Sequence, residues 1–232
     1  MSTFLLLHGS GQGGWIWKAV GELLRAAGHE VYRPTMDGCA ERKGMLRPEL
    51  TLADQGAEVA NLLFYEDLRD VVCVATSTGG MVLCQAAPQV PERIGRLVFI
   101  DAIVPLPGET AAMINKRTPP PAGKLAKDPP PWGIFTGVPG KLGEWAVARY
   151  TPHPLRPTEE PVDLKDFWAL SWQADVVRCR HSERPLEEHQ RRTAERLNAT
   201  YTELEAGHYP MLTSPTEVAE YLLALEPVAS AS

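Results

Sequence analysis

The chain has 232 residues, of which 44% are hydrophobic and 22% are charged, and its formal net charge is −6 at pH 7. This length and composition are typical of one globular domain with a full core. The acidic balance argues against nucleic acid or an anionic membrane as a partner. No apolar stretch approaches the ~18 residues of a membrane span. The first apolar run, residues 4–7, is also too short for the core of a signal peptide.

The cysteines lack the spacing of a metal site, and three of the four lie in or beside apolar segments. They are Cys39, Cys73, Cys84 and Cys179. We therefore predict buried free thiols and a reduced, cytoplasmic compartment. Nothing in the sequence implies a metal or an organic cofactor.

Strand-like runs alternate with helix-like runs along most of the chain. In chain order, the predicted strands are 3–7, 29–33, 71–75, 96–100, 176–179 and 200–204, and the predicted helices are 15–27, 52–65, 80–87, 187–197 and 215–225. This alternation predicts an α/β fold whose mostly parallel sheet is covered by helices on both faces. In such sheets, functional residues collect in the loops beyond the carboxyl ends of the strands.

The alternation is interrupted between residues 105 and 166, which hold more than half of the 21 prolines. The aromatic residues singled out in this segment are Trp132, Phe135, Trp145 and Tyr150. A long irregular insertion in a compact domain is usually a lid or a disordered segment. Because aromatic residues are interleaved with the prolines, we predict a lid at 105–166 on a core made of residues 1–104 and 167–232.

A candidate nucleophile stands at the end of the third predicted strand. The apolar run ends at Ser77, and Gly79 and Gly80 follow before the next helix. This is a variant of the G-x-S-x-G turn between strand and helix, with Ala75 in place of the first glycine. Small neighbours are required because the turn strains the serine outward and a bulky side chain would clash with the helix. On their own, these residues also fit a turn without chemistry.

A glycine-rich turn follows the first predicted strand directly. It begins at His8 and places backbone N–H groups near the end of the sheet. The G-x-x-x-x-G-K-[ST] pattern of a phosphate-binding loop is absent. We predict an oxyanion hole whose N–H donors come from Ser10 and from Thr78, the residue after the nucleophile. His8 is interpreted as a structural hydrogen-bonding residue of the turn.

A candidate general base, His208, lies on a glycine-containing loop after the last predicted strand. The order Ser77 and then His208, each at the end of a strand, favours this histidine. The other histidines are weaker candidates: His29 ends a helix, His153 lies in the lid, and His181 and His189 stand among charged residues that indicate solvent.

In order and spacing, these segments resemble the α/β-hydrolases, in particular small carboxylesterases related to plant methylesterases and hydroxynitrile lyases. The resemblance covers nearly the whole chain and is carried by HGSGQGGWIW (8–17), RPTMDGCAER (33–42), the Ser77 turn, ERIGRLVFIDAIVP (92–105), YTPHPL (150–155) and AGHYPMLTSP (206–215). It implies the α/β-hydrolase fold, the chain order serine, acid, histidine, and the position of the lid.

The acid of the triad is ambiguous in this sequence. The resemblance implies an aspartate after the strand at 176–179, but the matching residue is Ser182, with Glu183 next to it. Some α/β-hydrolases carry the acid at the end of the preceding strand, where this chain has Asp101. A histidine partner would offset the cost of burying that carboxylate. We favour Asp101 because Glu183 lies near two arginines and fits a solvated ion cluster, although a capping role for Asp101 stays open.

We therefore predict a serine hydrolase that cleaves a small-molecule carboxylic ester through an acyl-enzyme on Ser77, with His208 as general base. The first alternative is a lyase on the same scaffold. Hydroxynitrile lyases of this branch carry lysine after the histidine and threonine in the first turn, where this chain has Tyr209 and Gly9. That activity is disfavoured, while elimination and retro-aldol cleavage stay open.

The second alternative is a small-ligand-binding protein without catalysis, which the Ser/His pair disfavours. The lid aromatics favour an apolar or aromatic substrate group if they face inward. They equally fit a core of the lid itself, and an aromatic lid is a possible homodimer contact.

Overall fold

The computed structural model of the chain describes residues 1–121, 123–128 and 135–225. Its strands are β1 (Thr3–Leu7), β2 (Glu30–Tyr32), β3 (Val71–Ser77), β4 (Ile94–Ala102), β5 (Ala126–Lys127), β6 (His153–Pro154), β7 (Ala174–Cys179) and β8 (Thr200–Leu204). Its α-helices are α1 (Lys18–Ala26), α2 (Leu52–Tyr65), α3 (Gly79–Ala86), α4 (Ala111–Ile114), α5 (Gly140–Val147), α6 (Arg156–Glu159), α7 (Lys165–Ala169), α8 (Glu187–Leu197), α9 (Pro210–Thr213) and α10 (Pro215–Leu223).

Short 3-10 helices accompany these elements at Gly14–Trp17, Ala40–Met45, Ala87–Gln89 and Pro91–Arg93. The first of them replaces the start of the helix that we predicted from residue 15, so that α1 itself begins at Lys18. Each of the other predicted helices and strands is present within two residues of its predicted ends.

Across the described residues, six strands form one sheet in the order β2-β1-β3-β4-β7-β8. Every neighbouring pair in it is parallel. The carboxyl ends of the strands therefore lie at one edge, where the glycine-rich turn, the Ser77 turn and the His208 loop all leave the sheet. The predicted α/β fold with a parallel sheet is confirmed.

The core lies on both faces of this sheet, because successive side chains of a strand point to opposite sides. Leu5 and Leu7 of β1 pack on the face that carries α2, α3 and α8. Phe4 and Leu6 of the same strand pack on the opposite face, against α1 and α10. Burial on both faces explains why the strand sequences are almost continuously apolar.

Helix α2 shows how local sequence sets the ends of an element. The Thr51 side chain accepts a hydrogen bond from the Asp54 N–H, and the Asp54 carboxylate accepts one from the Thr51 N–H. This capping box satisfies two of the N–H groups that a helix start leaves unpaired. The helix was predicted with the same ends, residues 52 and 65.

The segment predicted as a lid is more regular than its proline content suggests. It contains α4, α5 and α6, and its two short strands β5 and β6 pair antiparallel. Its Thr151 N–H donates to the Gly11 carbonyl of the glycine-rich turn at 3.0 Å, which ties the segment to the core. Of the four aromatic residues singled out above, Trp132 lies outside the described residues.

All four cysteines are buried free thiols, as predicted. Burial raises the pKa of Cys39 to about 12 and also raises the pKa of the other three thiols, so each stays protonated near neutral pH. In residues 1–121, 123–128 and 135–225, no helix has both the length and the apolar character needed to span a bilayer.

Candidate active site

Ser77 occupies a strained backbone conformation between β3 and α3, with a φ of +50°. A non-glycine residue with positive φ is uncommon and is held there only by its surroundings. The two glycines that follow are required by close packing of the backbone. A Cβ on Gly79 would lie 2.6 Å from the His8 carbonyl oxygen, and one on Gly80 would lie 2.5 Å from the Ile103 carbonyl oxygen. The sequence pattern thus has a steric cause.

The glycine-rich turn after β1 packs directly on the Ser77 turn. A Cβ on Gly9 would lie 2.6 Å from Ser77 Cβ, so only glycine allows this approach. The Gly9 N–H donates to Gln12 Oε1 at 3.0 Å, and the Gln12 N–H donates to the Gly9 carbonyl at 3.3 Å. These two bonds fix the turn. Gln12 lies within the HGSGQGGWIW segment, where no sequence pattern indicates this role.

The two predicted oxyanion-hole residues lie side by side. Ser10 Oγ and Thr78 Oγ1 are 3.1 Å apart and hydrogen-bonded, although 68 positions separate them in the chain. Neither backbone N–H donates a hydrogen bond to another described residue. Two uncommitted N–H groups at adjacent turns are the arrangement that can hold a developing oxyanion.

Asp101 and His208 form a short hydrogen bond, with 2.6 Å between Asp101 Oδ2 and His208 Nδ1. Asp101 is fully buried at the end of β4, with a φ of +47°. Its other oxygen, Oδ1, accepts the Cys179 N–H of the neighbouring strand at 3.3 Å. Both carboxylate oxygens therefore have a donor, which offsets the cost of burial. With Nδ1–H donated to a carboxylate, Nε2 of the neutral ring carries the lone pair.

The two other residues considered at the acid position lie differently. Ser182 Oγ is 3.5 Å from His208 Nδ1 and donates to the Arg184 carbonyl at 2.9 Å. Ser182 thus lies beside the histidine but offers no negative charge. Glu183 is exposed and makes no hydrogen bond or ion pair with another described residue. Of the two carboxylates weighed from the sequence, Asp101 is the one in contact with His208.

Ser77 and His208 line one cavity of about 210 Å³, together with Ser10, Gln12 and Thr78. The serine and histidine side chains do not hydrogen-bond to each other: the partners of His208 are Asp101 and Ser182, both at Nδ1. Contacts of this kind are often long in the absence of substrate and shorten in the Michaelis complex. The site has a hydroxyl, an imidazole and two amide donors around one space.

The aromatic residues of the predicted lid divide between two environments. Phe135 and Tyr150 line the cavity, as does Tyr209 beside the histidine. Trp145 instead packs edge-on against Trp15 of the core, with ring centroids 5.2 Å apart. Burial raises the pKa of Tyr150 to about 12, so its hydroxyl stays protonated near neutral pH. The inward-facing interpretation thus fits Phe135 and Tyr150, whereas Trp145 packs on the core of residues 1–104 rather than within a core of the segment itself.

The histidines outside the site have structural partners. His8 Nδ1–H donates to the Gly9 carbonyl at 2.9 Å and Nε2 accepts the Met36 N–H at 3.1 Å, so the structural interpretation of His8 fits. Burial also lowers the pKa of His8. The prediction of a solvated position holds for His181, which is exposed beside Glu205.

The same prediction is wrong for His189, which is only 4% exposed. Its Nε2 accepts the Val104 N–H at 3.0 Å. Burial and the nearby Arg192 lower the pKa of His189 to about 4. Its sequence neighbours Glu187, Glu188 and Arg191 are exposed, while Arg192 Nη2 lies 3.0 Å from the His189 Nδ1. His189 itself faces the core with Gln190 and Thr193.

Four further polar residues of the 105–166 segment line the cavity and were not singled out from the sequence. They are Asn115 and Arg117 after α4, Lys127 in β5, and Thr136 before α5. No sequence pattern marks them, because their position depends on how the 105–166 segment packs against the rest of the chain. Within the described residues, no three histidine, cysteine or carboxylate side chains come together as a metal site.

The chain matches a protein-family model and several known proteins. The model of the alpha/beta hydrolase family matches residues 4–221. A carbendazim hydrolyzing esterase of Nocardioides sp. (strain SG-4G) is 29% identical over 242 residues, which cover 97% of this chain and 100% of that protein. Salicylic acid-binding protein 2 of Nicotiana tabacum is 32% identical over 123 residues, 50% of this chain and 46% of that protein.

Solved structures agree on the fold. An extracellular alpha/beta-hydrolase from a Paenibacillus species superposes with a TM-score of 0.82 at 24% identity, over 96% of this chain and 98% of the other. The structure of polyneuridine aldehyde esterase superposes with a TM-score of 0.75 at 22% identity, over the same shares. With the family model matched along almost its whole length, the chain belongs to the alpha/beta hydrolase family.

Proposed function

We propose that the protein is a carboxylic ester hydrolase that acts on small-molecule esters with Ser77 as nucleophile. The observation that carries the proposal is the 2.6 Å contact between Asp101 and His208, made by a histidine that shares its cavity with Ser77. Two relatives reported above are esterases by name, which supports ester cleavage. The strained serine turn supports a nucleophile, because a binding pocket has no need of that strain.

In the acylation step, Ser77 Oγ attacks the ester carbonyl carbon while His208 Nε2 takes the hydroxyl proton. The carbonyl oxygen becomes negatively charged, and the N–H groups of Ser10 and Thr78 are proposed to stabilise it. The imidazolium that forms is stabilised by the Asp101 carboxylate. His208 then gives its proton to the leaving alcohol, and the acyl group stays on Ser77.

In the deacylation step, the same groups act on water. His208 Nε2 removes a proton from a water molecule, whose oxygen attacks the acyl carbon. The oxyanion again lies against the two amides, and its collapse releases the acid and returns the proton to Ser77. No cofactor is needed for either step, because the histidine supplies and accepts every proton.

Residues 105–166 are proposed to act as a lid over this reaction. Phe135 and Tyr150 of that segment line the cavity with Ser77, and Arg117 and Lys127 line it too. A cover of this kind excludes water from the acyl-enzyme until the alcohol has left. A homodimer and a cytoplasmic location stay predictions from the sequence.

The proposal is tested by the hydrolysis of p-nitrophenyl acetate by the wild-type protein, Ser77→Ala and a matched control, Ser171→Ala. Ser171 is exposed and lies between α7 and β7, away from the cavity. We expect turnover in the wild type and in Ser171→Ala and a loss of at least ~10³-fold in Ser77→Ala. Circular dichroism should show all three folded. Full activity in a folded Ser77→Ala protein would contradict the proposal.

A further inference from the structure

The cavity that holds Ser77 and His208 has a cationic part. Arg117 and Lys127 line it, and no aspartate or glutamate is among its described lining residues. The chain as a whole carries a net charge of −6. The charge of the cavity lining is therefore opposite in sign to the net charge of the chain.

Lys127 is half-buried in β5, where its backbone pairs with His153 of β6. No carboxylate of the described residues lies within 4 Å of its ammonium group, and the neighbouring Asp128 pairs with Lys124 at 3.5 Å instead. The undescribed residues of this segment, 122 and 129–134, are alanine, proline, tryptophan, glycine and isoleucine, so none is acidic. A half-buried ammonium group without a counter-charge is costly in free energy.

The charges around Lys127 make it a surplus cation. Burial lowers the pKa of Lys127, and the nearby guanidinium groups of Arg117 and Arg184 lower it further, while Glu159 raises it. Glu159 is already paired with Arg117 and the pair is mostly buried. The carboxylate therefore balances one arginine, and Lys127, which lines the cavity, has no ion-pair partner of its own among the described residues.

Asn115 adds an unfilled hydrogen-bonding group to the same cavity. Its Oδ1 is buried and has no hydrogen-bond partner among the described residues. An unpaired buried polar atom is costly in free energy, and an ordered water or a bound ligand can supply its partner. Rotation of the amide by 180° presents its Nδ2 donors in the same place.

We propose that Lys127, with Arg117 and Asn115, binds an ionised carboxylate carried by the substrate while its ester group reaches Ser77. This inference rests on the proposed esterase function and narrows it to esters that bear a second, free carboxylate, such as monoesters of dicarboxylic acids. An anion in a partly desolvated cavity forms strong charge-assisted hydrogen bonds with an ammonium or guanidinium group. It also supplies the counter-charge that Lys127 lacks.

The test compares a charged and a neutral ester of the same acid. The monomethyl and dimethyl esters of succinate, adipate and suberate are assayed with the wild-type protein, and the ratio of their kcat/KM values is taken for each acid. We expect the charged ester to be preferred by about tenfold or more at one chain length, chiefly through a lower KM. A preference for the neutral ester at every length would overturn the inference.

Variants separate Lys127 from the general charge of the segment. Lys127→Gln should lower the ratio about tenfold, and Lys127→Arg should retain it, because it keeps the charge. Lys124→Gln is the matched control, since Lys124 is exposed and does not line the cavity. It should keep the wild-type ratio. An unchanged ratio in Lys127→Gln, or equal losses in Lys127→Gln and Lys124→Gln, would also overturn the inference.

A binding measurement distinguishes failure of this inference from failure of the proposed function. Adipamic acid has a carboxylate and an amide in place of the ester, and adipamide is its neutral counterpart. By calorimetry we expect adipamic acid to bind the wild-type protein more tightly than adipamide, and Lys127→Gln to lose the difference. If no ester is cleaved but this difference is present, the esterase proposal fails and the anion site stands. If esters are cleaved and the difference is absent, the anion site fails alone.

Discussion

Asp101 and His208 are 107 positions apart in the chain, and their side chains meet with 2.6 Å between Oδ2 and Nδ1. The contact joins the end of β4 to the loop after β8, across the carboxyl edge of β7. Asp101 also accepts the Cys179 N–H of β7, so the carboxylate is held from two sides. The geometry gives the imidazole one orientation and one tautomer, which is what a general base requires.

Asp101→Asn is expected to lower kcat by on the order of 10³- to 10⁴-fold, because an amide in place of the carboxylate destabilises the imidazolium and allows the wrong tautomer. Glu183→Gln is the matched control, since Glu183 is the exposed carboxylate of the neighbouring loop. It should change kcat less than ~2-fold. Ester hydrolysis by both purified variants checks this. A large loss in Glu183→Gln with little loss in Asp101→Asn would reverse the assignment.

A second prediction uses the place of Ser182. Its Oγ is 3.5 Å from His208 Nδ1, so an aspartate at 182, one atom longer than serine, reaches the same nitrogen. The double variant Asp101→Asn/Ser182→Asp should therefore recover at least ~10-fold of the kcat lost in Asp101→Asn. A double variant no more active than Asp101→Asn would show that position 182 cannot supply the acid. Ser182→Asp alone, assayed in parallel, reports the cost of placing a second carboxylate there.

A third prediction concerns the contact between the two turns. Gly9→Ala should lower kcat about 100-fold, because its Cβ would lie 2.6 Å from Ser77 Cβ and either turn must shift. Gly44→Ala is the control, since a Cβ on Gly44 meets no atom within 4 Å. Ester hydrolysis at saturating substrate measures kcat for the wild type and both variants. Wild-type kcat in a folded Gly9→Ala protein would show that the close approach is irrelevant to the reaction.

A fourth prediction follows from His153, a buried histidine of the 105–166 segment. Burial lowers the pKa of His153 to about 3 from 6.5, so the folded protein keeps this ring neutral where the unfolded chain protonates it. The contribution of neutral His153 to the free energy of unfolding is therefore present above pH 6.5 and is lost as the pH falls towards 3. Between pH 8 and pH 5 the loss is about 2 kcal/mol of the free energy of unfolding.

His153→Leu should remove that loss, because leucine has no group that can be protonated. The substitution breaks no hydrogen bond at Nε2, since this buried atom has no hydrogen-bond partner among the described residues. Urea unfolding of the wild type and the variant at pH 8 and pH 5 measures it. The variant should be less sensitive to acid by about 2 kcal/mol. Equal pH dependence of the two proteins would contradict the burial argument.

The regular elements of the core could be predicted from sequence because each carries its own local cause. Helix α2 has a capping box at Thr51 and Asp54, and helix α8 and strand β8 were predicted with the ends that they have. Parallel order followed from alternation of strands and helices. Ser77 and His208 could be singled out because a serine turn and a histidine loop each stand directly after a strand.

What sequence could not supply are contacts between distant segments. His189 looks solvated beside Glu188 and Arg191, yet its ring accepts a hydrogen bond from Val104, 85 positions away. Nothing in the sequence distinguishes Lys127 from the other lysines of its proline-rich segment. It lines the cavity because β5 pairs with β6. The choice between Asp101 and Glu183 likewise depended on which loop the histidine faces.

The central claim is that Ser77 is the nucleophile, and covalent labelling tests it most directly. The wild-type protein is treated with a fluorophosphonate, its intact mass is measured, and the modified peptide is mapped; Ser77→Ala is treated in parallel. We predict one adduct per chain on Ser77 and none in Ser77→Ala. A wild-type protein that cleaves esters but is not labelled at Ser77, or a Ser77→Ala protein labelled to the same extent, would contradict the account.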